Sequence, residues 1–477
     1  MLDTEHAGGM VIRGSVLRLA GFGAGLLMSV GSAAILLRHL GVEDTGRYNT
    51  VISLVAIVGG LTDAGMGNIG VREYAALSGD ERSRMMRDLL GLRIALTLVG
   101  VLVGIVFGLG VGYSNAMVIG TGLAGLGLVL QIIAATMAVP LSVGLRLGTV
   151  SALDVVRNAA NALGITILVL SGAGLLGFLA VPLPASAVLV AVTAPLIARS
   201  ISLRPSVHVA AWRALIADAL PYAAATAVGI VYIYLTVIAL GFVADEKQVG
   251  LFSAAFRVFI VIAGISALVV QSAFPVLTRA ARDDRRRLGY AVQRLFEGNV
   301  VVGAFVGLCT AVGAPLAILI IAGRDFAGSV PVLRVQGAAL LMTFVAGVGS
   351  YSLLALRRHG ALLAINALAL TVSLTLTLAL GATDGARGAA VANLAGEAML
   401  ALGGLLALGR QPEGVRVHTS VIWRTGLAVA AGVGAAVLAP GPTILETAAA
   451  AAAYTVVAIA VGAVPVEIRQ AFLRHRH

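Results

Sequence analysis

Charge is what this sequence has least of. Only 12% of its 477 residues are Asp, Glu, Lys or Arg, about half the share found in soluble domains. Such a chain cannot clothe a water-soluble globule. Cysteine is almost missing too. The one example, Cys309, lies in an apolar run, which excludes an internal disulfide framework or a cysteine-based metal cluster. There is no Gly-rich phosphate loop followed by Lys and Ser or Thr, so no nucleotide-driven motor resides in this chain. The turns on one side of the apolar runs are short, which leaves no room for the large external loop of a membrane-embedded sugar polymerase or ligase. An enzyme is therefore not expected, and no cofactor is called for.

What is present is apolar and small. Hydrophobic residues make up 59% of the chain and glycine supplies 59 positions, with a mean hydropathy of +1.00. Small residues let helices approach closely in lipid, and Gly100, Gly104, Gly108 and Gly112 mark such a stripe. The chain reads as an all-α polytopic membrane protein. A span needs about 20 apolar residues, and the first two occupy 19–37 and 46–70. The charge-free stretch between Arg93 and Arg146 holds two more, joined near Gly112–Asn115, and span five begins near Val150. The sixth contains Pro182, Pro184 and Pro195. Eight follow at about 219–243, 250–276, 298–322, 331–356, 360–382, 387–409, 421–440 and 447–466, making fourteen.

The plan repeats. GRYNTVISLV begins at Gly46 and GLFSAAFRVF at Gly250, and an arginine-rich segment follows each span. Residues 1–213 and 214–410 read as two six-helix lobes in the same orientation, and 411–477 as two further helices with a short tail. Arginine sets the orientation, because cytoplasmic loops carry an excess of Lys and Arg. With the N-terminus inside, 25 of the 33 basic residues fall on the cytoplasmic side, five in outer turns and three within spans. Both termini are then cytoplasmic, and Trp212 and Trp423 sit beside inner arginines, where interfacial tryptophan belongs. The excess of basic over acidic residues is explained by topology and anionic lipid rather than by nucleic acid. Asp3 and Glu5, without a small-residue cleavage site, indicate that the first span is retained.

Ionisable groups inside spans are costly and mark function or pairing. On span five, Asp154, Arg157, Asn158 and Asn161 share one helical face. They form either a polar cavity wall or an internal Asp154–Arg157 pair with asparagines bonding neighbouring helices. Arg257 lies seven residues into span eight, about 10 Å deep. It either snorkels or offers its fork of donors to a phosphate. Arg334 and Arg18 lie nearer span ends and read as snorkelling. Glu397 is ten residues into span twelve, about 15 Å deep, with Asn393 one turn before it. It is either an ion-coupling acid or a neutral acid bonded to a neighbour. Asp63, ahead of Ala-Gly-Met-Gly, reads as capping a local helix break, with ion coupling the second choice. Tyr222, Tyr232 and Tyr234 offer rings for sugars or for packing.

The stretch LGVEDTGRYNTVISLVAIVGGLTDAGMGNIGVREYA resembles the opening repeat of bacterial polysaccharide and oligosaccharide flippases, of the multidrug/oligosaccharidyl-lipid/polysaccharide exporter superfamily. Leu40, Gly41, Gly46, Tyr48, Asp63, Gly65, Arg72, Tyr74 and Ala75 carry the likeness, with Gly250, Ser253, Ala254 and Arg257 in the second repeat. The resemblance implies a flippase in the bacterial cytoplasmic membrane. It would move a polyprenyl-diphosphate-linked oligosaccharide from the inner to the outer leaflet for cell-surface polysaccharide synthesis, with a glycan polymerase or glycosyltransferases of the same pathway as candidate partners. Two lobes would alternate around a cationic cavity. Arg257 and Arg157 would hold the headgroup, Asp154, Asn158 and Asn161 would lie nearby, and Glu397 or Asp63 would couple an ion. A lipid II flippase and a multidrug/cation antiporter of the same superfamily are the alternatives.

Overall fold

The computed structural model describes residues 5–63, 65–144, 146–197, 205–283, 285–410 and 417–464, with side chains from Gly23 onward except at 147, 221–226, 269, 283 and 285. Every regular element among them is helical: α1 Glu5–Asp63, α2 Met66–Ala76, α3 Gly79–Val111, α4 Asn115–Met137, α5 Val139–Val143, α6 Leu147–Leu170, α7 Leu175–Ala180, α8 Pro182–Ile197 and α9 Val209–Val243. Then come α10 Glu246–Asp283, α11 Arg285–Val312, α12 Ala314–Ile321, a 3-10 turn at Arg324–Phe326, α13 Ser329–Ala355, α14 His359–Gly409, α15 Ser420–Leu438 and α16 Thr443–Ala460.

Eleven helical stretches among the described residues are long and apolar enough to cross a membrane. Two of them are hairpins. In α1 the only non-helical residue is Gly41 (φ 71°), and in α14 it is Gly385 (φ 53°), conformations that glycine alone adopts freely. Contacts show the reversal. Before Gly41, His39 Nε2 lies 2.9 Å from Ala173 O; after it the chain runs back until Asp63 meets Arg93. Within α14, Gly403 packs on Ile365, and a Cβ on Gly388 would collide with Leu380 O. Dividing these two and adding α9, whose described apolar stretch is Ala227–Val243, gives the fourteen crossings read from hydropathy. Gly41 turns the chain in one residue, and Glu43, Asp44 and Thr45 already belong to the next helix.

The chain forms two compact units, Met1–Tyr234 and Leu235–His477, with the boundary inside α9. In the first, α1 packs on α6 and on α3, and α4 on α8. The glycine stripe of α3 divides. Gly100 and Gly104 face Val58 of α1, Gly108 meets Tyr113, and Gly112 (φ 82°) ends the helix instead of extending the stripe. Gly127 of α4 lies against the backbone of Pro182. At the arginine-rich end, α2 buries Met66, Ile69, Gly70 and Tyr74 into a cluster with Met86, Leu89 and Leu92. Arg82 lies 4.3 Å over the Tyr74 ring.

In the second unit α13 is central, packing on α10, α11 and α14. Backbones touch there. A Cβ on Gly337 would lie 2.7 Å from Gly307 O, and one on Gly349 would lie 3.0 Å from Gly404 Cα. Tyr454 of α16 donates to Val301 O of α11 at 2.7 Å. Because a main-chain oxygen cannot swing aside, Gly337→Leu is expected to cost about 1–3 kcal/mol or more by overpacking, a fall of roughly 5–10 °C in unfolding midpoint. Gly434→Leu, with nothing within 4 Å, is the matched control. Thermal unfolding of both variants in detergent checks this, and equal midpoints would refute the close-contact reading.

Candidate functional site

Helix α6 carries the polar stripe of the first unit. It is the least buried of the described membrane-length helices, with Asp154 exposed and Arg157, Asn158 and Asn161 half-buried along the stripe. Leu163, Ile167 and Leu170 are exposed and lie, at 3.6 residues per turn, roughly 180° from the stripe of Asp154, Arg157, Asn158 and Asn161. A helix with an apolar exposed face and an opposite polar one has its lipid side assigned, which leaves the polar side for an interior. The Asp154–Arg157 pair does form, but at 3.8 Å with the carboxylate 66% exposed, so it contributes about 0–1 kcal/mol. Asn161 Nδ2 donates to Arg157 O on its own helix at 3.0 Å. Asn158 is pressed against α1, where a Cβ on Gly25 would stand 2.6 Å from its Nδ2. Gly25 therefore sets how closely α1 covers one edge of the stripe.

The second unit joins Asn393, one turn before Glu397, to a residue that sequence reading passed over, Gln336. Two bonds fix the register at one end of the helices. Gln248 Oε1 accepts from Ala386 N at 2.9 Å, and Ser329 Oγ donates to Leu251 O at 2.8 Å. Counting from these pins at 1.5 Å per residue, Arg257, Gln336 and Asn393 all lie about 10 Å along, and Glu397 about 16 Å. Asn393 Nδ2 donates to Gln336 Oε1 at 2.9 Å, as that register requires. Gln336, Asn393 and Glu397 are buried, and Gln336 Nε2 has no hydrogen-bond partner. An amide donor buried without an acceptor is costly, so this layer is polar against the grain of its surroundings. Arg257 is half-buried, on a helix anchored by the burial of Phe252, Phe256 and Phe259, whose rings stack along it with centroids 5.2 and 5.6 Å apart. Gln336 was findable, as the one amide in the run from 331 to 356.

Asp63 sits differently from expectation. The helix break is real, but Gly65 (φ 76°) makes it, and the carboxylate serves Arg93 instead of capping α2. Arg93, counted as a topogenic arginine in a turn, lies well inside α3 and is only 3% exposed. It donates from Nη1 to Thr136 Oγ1 at 2.8 Å and from Nη2 to Asp63 Oδ1. Its phase gives it away in hindsight, since it follows LLGL and precedes IAL. Among the tyrosines, Tyr232 is buried as core and Tyr234 half-buried, while Tyr222 lies outside the described side chains. Arg334 is exposed near the start of α13, and Arg18 lies outside the described side chains. No group of three or more His, Cys, Asp or Glu gathers among the described residues.

The family described as polysaccharide biosynthesis protein matches residues 11–281, more than half the chain. The chain belongs to that family. No curated protein sequence matches it. Its fold is shared with a solved lipid II flippase, MurJ, in an inward closed conformation, at 12% identity and a TM-score of 0.78 over 93% of this chain and 98% of that one. It is also similar to an inward-facing multidrug resistance MATE family transporter of the MOP superfamily (17% identity, TM-score 0.55, 82% of this chain and 96% of that one). A mutant form of the Vibrio cholerae MATE transporter VcmN aligns as well (16% identity, TM-score 0.50, 86% of this chain and 98% of that one). This member of the polysaccharide biosynthesis family, which its opening repeat resembles, is thus a multi-pass membrane protein with the fold of these flippase and MATE structures.

Proposed function

We propose that this protein is a flippase that moves a polyprenyl-diphosphate-linked oligosaccharide from the inner to the outer leaflet of the bacterial cytoplasmic membrane. Transport needs no covalent chemistry. The lipid tail stays in hydrocarbon while the diphosphate and sugars cross through a polar interior, with lobes 1–213 and 214–410 alternating around it. The observation that carries this reading is the two-faced α6, whose polar stripe lies opposite its exposed apolar side. In a family described by polysaccharide biosynthesis, that stripe suits sugar hydroxyls and Arg157 suits an anion. Arg257 supplies a second cation for the diphosphate. Coupling falls to Glu397, because Asp63 already neutralises a buried arginine and protonating it would strand that charge. Lipid II is the second reading, favoured by the fold likeness to the MurJ flippase.

The test is the leaflet distribution of labelled carrier-linked oligosaccharide in cells lacking the protein. Accumulation on the cytoplasmic side, relieved by the wild-type chain, is the expected result. Trapped lipid II with normal oligosaccharide delivery selects the second reading. Normal delivery of both refutes the transport assignment.

A further inference from the structure

At the arginine-rich end of the second unit, the last turns of α10 and α13 and the start of α14 border an open cavity of about 760 Å³. Its lining combines apolar Phe274, Leu354 and Leu356 with basic Arg282, Arg357 and His359. Among its described lining residues there is no carboxylate. Phe274 is held edge-on by Tyr351, with centroids 5.7 Å apart, so the apolar wall is fixed. The three basic side chains are exposed, at the ends of three helices long and apolar enough to cross a membrane.

Two backbone features aim at the same cavity. His359 opens α14, which has no side-chain cap. The first helical bond made there runs from Leu362 N to Arg358 O at 3.2 Å, so the preceding amides form an uncapped, anion-attracting end. Arg357 is the only non-glycine residue with positive φ among those described, at 55°. It occupies the position after the α13 C-cap at which helices ordinarily place glycine. Arg357 N donates to Leu354 O at 3.0 Å and Arg358 N to Leu353 O at 2.9 Å, the paired bonds of that termination. A side chain there is strained, and strain held at a cavity points to use of the side chain.

We propose that this cavity binds the phosphate-bearing headgroup of an anionic lipid, with Arg282, Arg357 and the start of α14 on the phosphate and the chain lying along Phe274. The site does not depend on the transport reading. Two lipids share the required chemistry, a bulk anionic phospholipid and a polyprenyl diphosphate.

The experiment is lipid retention by the full chain in detergent, read by native mass spectrometry. The probes are dioleoyl-phosphatidylglycerol, undecaprenyl diphosphate and dioleoyl-phosphatidylcholine. Wild type should retain at least one anionic probe in preference to phosphatidylcholine. Arg357→Gly should weaken that retention about fivefold, and Arg282→Gln with Arg357→Gly about 25-fold, from about 1 kcal/mol per arginine near a charged lipid surface. Because glycine accepts the positive φ, Arg357→Gly should unfold no earlier than wild type, which separates lost binding from lost folding. Retention of phosphatidylglycerol assigns the site to bulk lipid, and retention of the diphosphate alone assigns it to a carrier lipid. Equal retention of all three probes, or of an anionic probe by wild type and both variants, overturns the proposal.

Discussion

Asp63→Asn will destabilise the first unit by about 3–5 kcal/mol, the cost of leaving a buried charge without its partner, and Arg93→Leu will cost less. The two ends of the pair are unequal. Arg93 is 3% exposed and Asp63 is 42% exposed, so an orphaned carboxylate can turn to a polar surrounding whereas an orphaned guanidinium cannot. Arg93 also lacks a partner at Nε, so Asp63 carries most of its compensation. The double variant Asp63→Asn with Arg93→Leu should recover much of the loss, since replacing both members of a buried pair is often close to neutral. In thermal unfolding the single Asp63 variant should fall by roughly 10 °C or more. Equal effects of the two single variants, or a double variant no better than Asp63→Asn, would reject the asymmetry.

On the proposed flippase reading, Arg257→Ala should lower transport of the lipid-linked oligosaccharide by on the order of a hundredfold, within the 2–5 kcal/mol lost when one partner of a close charged hydrogen bond is removed. Arg257→Lys should fall between, because an ammonium keeps the charge but not the planar fork that grips a diphosphate. Stability should hardly change. Arg257 is only half-buried, and α10 is fixed independently by Phe252, Phe256 and Phe259 and by bonds at Gln248 and Leu251. The measurement is the initial rate of leaflet transfer in reconstituted vesicles, normalised to folded protein. Full activity of Arg257→Ala would remove this residue from the headgroup site and leave the α6 stripe to account for anion binding.

The fourteen crossings were legible because hydrocarbon thickness imposes a run length that the sequence displays openly. The helix-to-helix junction at Gly112–Asn115 was legible for the same reason, with α3 ending at Val111 and α4 starting at Asn115. What hydropathy cannot show is where a charge lies along the depth axis once an opposite charge cancels it. Arg93 looked like a loop residue because its neutralising partner is 30 residues away. Gln336 escaped for the opposite reason, being uncharged and set within an apolar helix. Asp154, Arg157, Asn158 and Asn161 were readable as one face, since 3.6-residue periodicity is a local property. Their surroundings were not, because Gly25 and Asn158 are distant in sequence and their approach depends on a missing Cβ.

The hairpins at Gly41 and Gly385 carry an evolutionary corollary. A bend made by one glycine offers almost no surface beyond the bilayer on which a glycan can be read. On the proposed flippase reading, diversification at these two hairpins would then act on the helix faces and not on the turns. Grafting these two bends from one relative onto another should leave substrate preference where it was, whereas exchanging the polar face of α6 should carry that preference along.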